Sequence, residues 1–155
     1  MKPVNKEVVL DISDLLPNGE GVAEINARRV QVRNALPGEI VSARILKKKK
    51  GIKYADAIEV VRSSQDRTDI ACKSYPRCGG CSMLHMLPSK EVELKSKKLN
   101  MDLKSRGIVF EETLDPVVNN FLHYRRKARL GVKCLGERCM AITDGAYQNE
   151  RHSRA

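Results

Sequence analysis

Three of the chain's five cysteines fall in one short run, Cys72-Lys-Ser-Tyr-Pro-Arg-Cys78-Gly-Gly-Cys81. The C-x5-C-x2-C spacing turns three thiolates toward one point if the backbone between them bends sharply. Pro76, Gly79 and Gly80 are the residue types that allow such a bend. Thiolates gathered this way favour an iron-sulfur cluster or zinc. Two other readings stand beside that one. A disulfide framework is disfavoured by the odd cysteine count and by a charged start with no secretory leader behind it. An inert core cluster is disfavoured because a Gly-Gly turn is not core spacing. His85, four residues past Cys81, has the chemistry of a fourth ligand, yet its neighbours Leu84 and Met86 suit a packing or hydrogen-bonding histidine better.

The second chemistry is cationic. The chain carries 29 Lys and Arg against 19 Asp and Glu, a net charge of +10, and the excess is shared by the two halves, +4 up to Arg62 and +6 beyond it. Such an excess points to a polyanion, with nucleic acid as the leading partner and a merely soluble basic surface as the bland alternative. Two stretches concentrate it. Lys47, Lys48, Lys49, Lys50 and Lys53 surround Gly51 at what reads as a basic hairpin tip, suited to positioning phosphates without reading bases. In Phe121 to Lys133, alternation puts Arg125, Lys127 and Arg129 on one strand face, a stripe able to follow phosphates or stack on unpaired bases.

The elements that must position these groups read as α+β. From Val4 to Val61, short alternating apolar stretches are broken by Pro17-Asn18-Gly19 and Leu36-Pro37-Gly38-Glu39. Five strands at that spacing predict a small, closed or nearly closed antiparallel OB-like barrel over 1–62. A polar boundary, the cysteine loop, a helix from Pro88 to Arg106 stopped by Gly107, and a first strand of a further α+β unit fill 63–133. Val92, Leu99 and Leu103 share a helix face. Residues 134–155 have no sustained period and read as a disordered tail. No apolar run approaches the ~20 residues of a membrane span, so the expectation is a cytoplasmic chain with no membrane contact.

Three motifs in this order resemble the bacterial large-subunit ribosomal RNA uracil-C5 methyltransferases that carry a TRAM domain. Asn18-Gly19-Glu20-Gly21-Val22-Ala23 with Ala35-Leu36-Pro37-Gly38-Glu39 looks like the TRAM barrel. Cys72 to His85 is similar to the family's C-x5-C-G-G-C iron-sulfur segment, and Tyr124-Arg125-Arg126-Lys127-Ala128-Arg129 resembles the strand opening its central RNA-binding domain. The resemblance covers residues 4 to about 133. It implies a [4Fe-4S] cluster on Cys72, Cys78 and Cys81, ribosomal RNA as partner, and S-adenosylmethionine as methyl donor in the full-length family. In that family the fourth cluster ligand, the donor site and the nucleophilic cysteine lie later, and no Gly-rich strand-to-helix turn for the donor occurs here. The expectation is therefore an amino-terminal, truncated portion, not catalytic alone, with a separately encoded catalytic domain as a further partner. The alternative is a free-standing zinc-binding RNA module. A radical methylthiotransferase fits less well, because that class resembles C-x3-C-x2-C and carries its TRAM barrel last.

Overall fold

The computed structural model describes residues 6–76, 80–122, 126–127, 131–135 and 138–142. Strands β1 (Lys6–Asp11), β2 (Asp14–Leu15), β3 (Gly21–Ile25), β4 (Arg28–Arg33), β5 (Ile40–Lys49) and β6 (Ile52–Arg62) form one sheet in the order β1-β5-β6-β4-β3-β2. The outer members of that order, β1 and β2, are separated in sequence only by Ile12 and Ser13. The Ile12 N–H donates to the Glu39 carbonyl at 2.9 Å and the Ser13 N–H to that of Val22 at 2.8 Å. The sheet thus curls until its edges are successive halves of one bent strand, the OB-like barrel expected. One pairing departs from the antiparallel expectation: β4 and β6 run parallel, Val30 opposite Lys53 and Val32 opposite Ala55. The cause is topological, since the β5–β6 hairpin inserts between β1 and β4, and β6 follows two chain reversals after β4.

Alternation sets the inside. Val30 and Val32 are fully buried while Arg29 and Arg33 beside them face out, and Leu10, Ile12, Ala23, Ala35, Val41, Ala43, Ile45 and Ala55 complete the core. Most of these side chains are small or β-branched, which pack well on a strongly curved sheet. Gly21 marks the closest approach. A Cβ there would lie 2.8 Å from both the Ala35 carbonyl oxygen and Ile12 Cγ2, so only glycine lets β3 pass the Ala35–Glu39 corner.

That corner holds Glu39, fully buried and charged. Its carboxylate accepts from the Leu36 N–H at 2.8 Å, the Ser64 N–H at 3.2 Å, and both Nε and a terminal nitrogen of Arg67. Arg67 also donates to the Asn34 carbonyl at 3.0 Å. Burial alone would raise the Glu39 pKa, but the Arg67 fork and the two amides override it and hold the carboxyl below its ordinary range. The polar segment after β6 is therefore strapped to the barrel. Thr68 N–H then reaches the His85 carbonyl at 3.1 Å and Leu87 N–H the Asp66 carbonyl at 2.8 Å, with a bridge between Arg67 and Met86.

Helix α1 (Pro88–Ser105) follows from this strap. Proline sits in its first turn with Glu91, and Lys104 in its last. Gly107, at φ +71°, closes the end through Gly107 N–H to Lys104 O and Ile108 N–H to Leu103 O. The expected apolar face is only partly used: no helix residue is fully buried, and Leu99 is 59% exposed. Residues 1–69 and 85–109 form one compact unit, so the helix groups with the barrel. A second unit comprises 70–84 and 110–155. There, β7 (Gly131–Leu135) and β8 (Arg138–Ile142) pair antiparallel. This corrects the reading of 134–142 as part of a disordered tail. Backbone pairing between the two strands supplies order that side-chain periodicity did not announce, and 143–155 lie outside the described residues.

Candidate nucleic-acid interface and thiol loop

The basic tip is mostly strand. Lys47 pairs with Tyr54, Lys48 with Lys53 and Lys49 with Ile52, leaving only Lys50 and Gly51 in the turn, at φ +48° and +82°. A two-residue turn with both φ positive matches the right-handed twist of the flanking strands, which is why the ladder continues to the end. Directly opposite residues share a face and faces alternate, so the lysines form two rows. Lys47 and Lys49 lie with Tyr54 and Ile52; Lys48 lies with Lys53. Val30, opposite Lys53, belongs to the core, so the Lys48–Lys53 row is on the inward side of the hairpin. The other row faces out, and there Gln31 of β4 pairs with Tyr54. The Lys47 ammonium sits 5.3 Å from the centre of the Tyr54 ring, a cation–π contact.

Farther along the outer face, positive charge is matched. Arg33 grips Asp56 through two nitrogens, each 2.6 Å from a carboxylate oxygen, and Arg44 reaches Glu7 at 2.9 Å. No carboxylate among the described residues pairs with Lys47, Lys48, Lys49, Lys50 or Lys53. Attraction for a polyanion is thus concentrated on the hairpin end of the barrel.

The second expected cationic stripe is only partly in view. Arg125 and Arg129 lie outside the described residues. Lys127 is exposed in irregular backbone beside Arg126, and the next described residues form the strand Gly131–Leu135.

Of the thiol set, Cys72 and Cys81 are free and exposed, and Cys78 lies outside the described residues. The loop is drawn together by Tyr75, whose N–H donates to the Cys72 carbonyl at 3.2 Å and whose hydroxyl donates to the Ser82 carbonyl at 3.4 Å. Accessible sulfurs on either side of one folded-back loop are the donor chemistry that a soft metal or cluster needs. Among the described residues no three His, Cys, Asp or Glu side chains gather into a metal-binding group. His85 is fully buried, and its pKa is lowered to about 4, first by burial and then by the Arg67 charge, so it is neutral at pH 7 and plays the packing role its neighbours suggested.

The family model for the TRAM domain matches residues 2–58, the stretch that builds the barrel. Over 154 residues, 97% of the chain, it is 32% identical to a Halalkalibacterium halodurans protein named as an uncharacterized RNA methyltransferase, of which it covers 33%. Over 125 residues, 80% of the chain, it is 35% identical to the 23S rRNA (uracil(1939)-C(5))-methyltransferase RlmD of Neisseria lactamica, of which it covers 28%. The RlmD of Acinetobacter baumannii is 34% identical over 146 residues, matching 86% of this chain and 32% of that protein. The barrel is a TRAM domain, and over 80–97% of its length the chain is similar to RNA methyltransferases. It spans about a third of the length of these curated relatives. On its TRAM barrel, Tyr54 and Gln31 are the candidate interface residues that sequence reasoning did not single out. A signal existed: with the turn centred on Lys50-Gly51, Lys47 and Tyr54 are mirror positions in the hairpin.

Proposed function

We propose that this chain is the RNA-binding, [4Fe-4S]-bearing amino-terminal portion of a 23S rRNA uracil-C5 methyltransferase, with the TRAM barrel holding ribosomal RNA. One observation carries the reading: the outer face of the barrel divides into a carboxylate-matched half and a hairpin end whose lysines have no acidic partner among the described residues. Lysines on a rigid two-stranded ribbon neutralise phosphates along a strand and release their counterions. The names of the relatives support ribosomal RNA as the polyanion. The S-adenosylmethionine-dependent transfer belongs to the full-length family and is assigned to no residue of this chain.

Cys72, Cys78 and Cys81 would hold the cluster, zinc being the alternative occupant. A bound cluster would supply covalent ordering of the loop and a redox-sensitive, air-sensitive centre. Anaerobic preparation followed by iron, sulfide and zinc analysis decides between them, and a preparation with neither metal removes the metal reading.

RNA binding is tested by titrating labelled single-stranded fragments of 23S rRNA with the full chain at several salt concentrations. Log affinity should fall linearly with log salt, with a slope of about −0.7 per phosphate contacted. Charge reversal at Lys47 and Lys49 together should abolish the binding. Affinity that is undetectable at low salt, or unchanged by that reversal, overturns the proposal.

A further inference from the structure

Phosphate attraction explains lysines, but it does not explain an aromatic ring held among them. Tyr54 is half-buried at the centre of the outward row, with Lys47 of β5 opposite on one side and Gln31 of β4 opposite on the other. Six aromatic residues occur in the whole chain, and none is in the barrel's core, which is entirely aliphatic. Tyr54 is thus not spent on core packing. Its backbone is held between two flanking strands, and the Lys47 ammonium over its ring is one that a phosphate would attract away, freeing the face.

We infer that Tyr54, flanked by Lys47 and Gln31, is a stacking platform for one unpaired base of single-stranded RNA. This rests on the RNA-binding reading above and deepens it from phosphate attraction to a base-holding subsite. The ring offers a π-face, and stacking of this kind accepts any base. The Lys47 ammonium is placed to take the adjoining phosphate. Gln31, paired with Tyr54 in the register, carries an amide, both donor and acceptor, on the same face, a group suited to the edge of a stacked base. Asp56, two residues along β6 on the same face, is held by Arg33, so the platform ends where the charge-matched half of the face begins.

The test compares two single-stranded ligands of equal phosphate number, an oligouridylate and the corresponding abasic ribose-phosphate oligomer, bound to the full chain. The wild type is expected to prefer the base-bearing strand by about tenfold, the size of one stacking contact. Tyr54→Leu should erase that preference, Tyr54→Phe should retain it, and Lys47→Ala should weaken both ligands while leaving the preference. As a readout independent of variant folding, photocrosslinking with a 4-thiouridine strand should place the adduct on the tryptic peptide 54–62. Equal affinity of the wild type for both ligands, or adducts confined to other peptides, overturns the platform and leaves RNA binding standing. Absence of binding to either ligand overturns both readings.

Discussion

Replacing Glu39 by glutamine should unfasten the strap that joins the barrel to everything after β6. The wild-type carboxylate takes four N–H bonds, from Leu36, Ser64 and two nitrogens of Arg67, with no solvent exposure. The amide would keep one acceptor oxygen and turn a donor NH2 toward donors already in place, while the Arg67 side chain, 14% exposed, would lose its counter-charge. Removing one partner of a buried pair costs about 3–5 kcal/mol. For a unit of this size each kcal/mol moves the melting temperature roughly 4–8 °C, so a fall of at least ~12 °C is expected by circular dichroism. Arg67→Met alone should cost a similar amount, and the double variant much less than the two together, since it removes both charges. Hydrogen exchange should show the Thr68 and Leu87 amides opening first in Glu39→Gln, because they bond across the strapped segment. A Glu39→Gln variant within about 1 kcal/mol of wild type, or strictly additive single variants, would refute the clasp.

Acid should loosen the same region in two steps of one sign. His85, at about 4 in the fold against 6.5 when unfolded, contributes stability that is complete above pH 6.5 and drains away as pH falls toward 4, on the order of 3 kcal/mol. Glu39, also lowered, adds a loss as pH falls below the ordinary carboxylate range. Urea midpoints between pH 7 and 4 should therefore decline, and His85→Gln should flatten the upper part of that decline; a flat wild-type profile contradicts the assignment. Gly21→Ala should cost about 1–3 kcal/mol through overpacking against Ala35 and Ile12, read from the thermal midpoint, with no change if the approach is looser than described. Lys49→Ala should lower the salt slope of RNA binding by about 0.7, a shift that is absent if this lysine touches no phosphate.

The barrel was legible because its alternation is local: Val30 and Val32 against Arg29 and Arg33 announce a strand with one wet face. Pro88, Gly107 and the charges of α1 likewise placed its ends. The parallel β4–β6 pair was not legible, because direction depends on where a hairpin inserts, which no single segment records. Neither was the strap. Glu39 reads as a turn residue and Arg67 as part of a polar linker, and only the fold brings residues this far apart in the chain into a buried pair. Five successive-looking lysines suggested one loop, whereas the bulge between Ile45 and Lys47 and the two-residue turn split them into rows. The hairpin formed by Gly131–Leu135 and Arg138–Ile142 escaped notice because its cysteines and glycines carry little periodic signal.

The hydrogen bonds between Asp66–Thr68 and His85–Leu87 pinch both ends of the cysteine excursion against the same anchored base. The segment between them is consequently a noose whose two ends are brought together by hydrogen bonds within the barrel's own unit. For the metal site proposed above, part of the loop-closure entropy would then be met by barrel folding, and capture of iron or zinc would be coupled to it. If the proposed iron or zinc is bound there, a chelator should lower the melting point of the loaded chain, and cutting the noose once should loosen its grip on the ion without unravelling the strands.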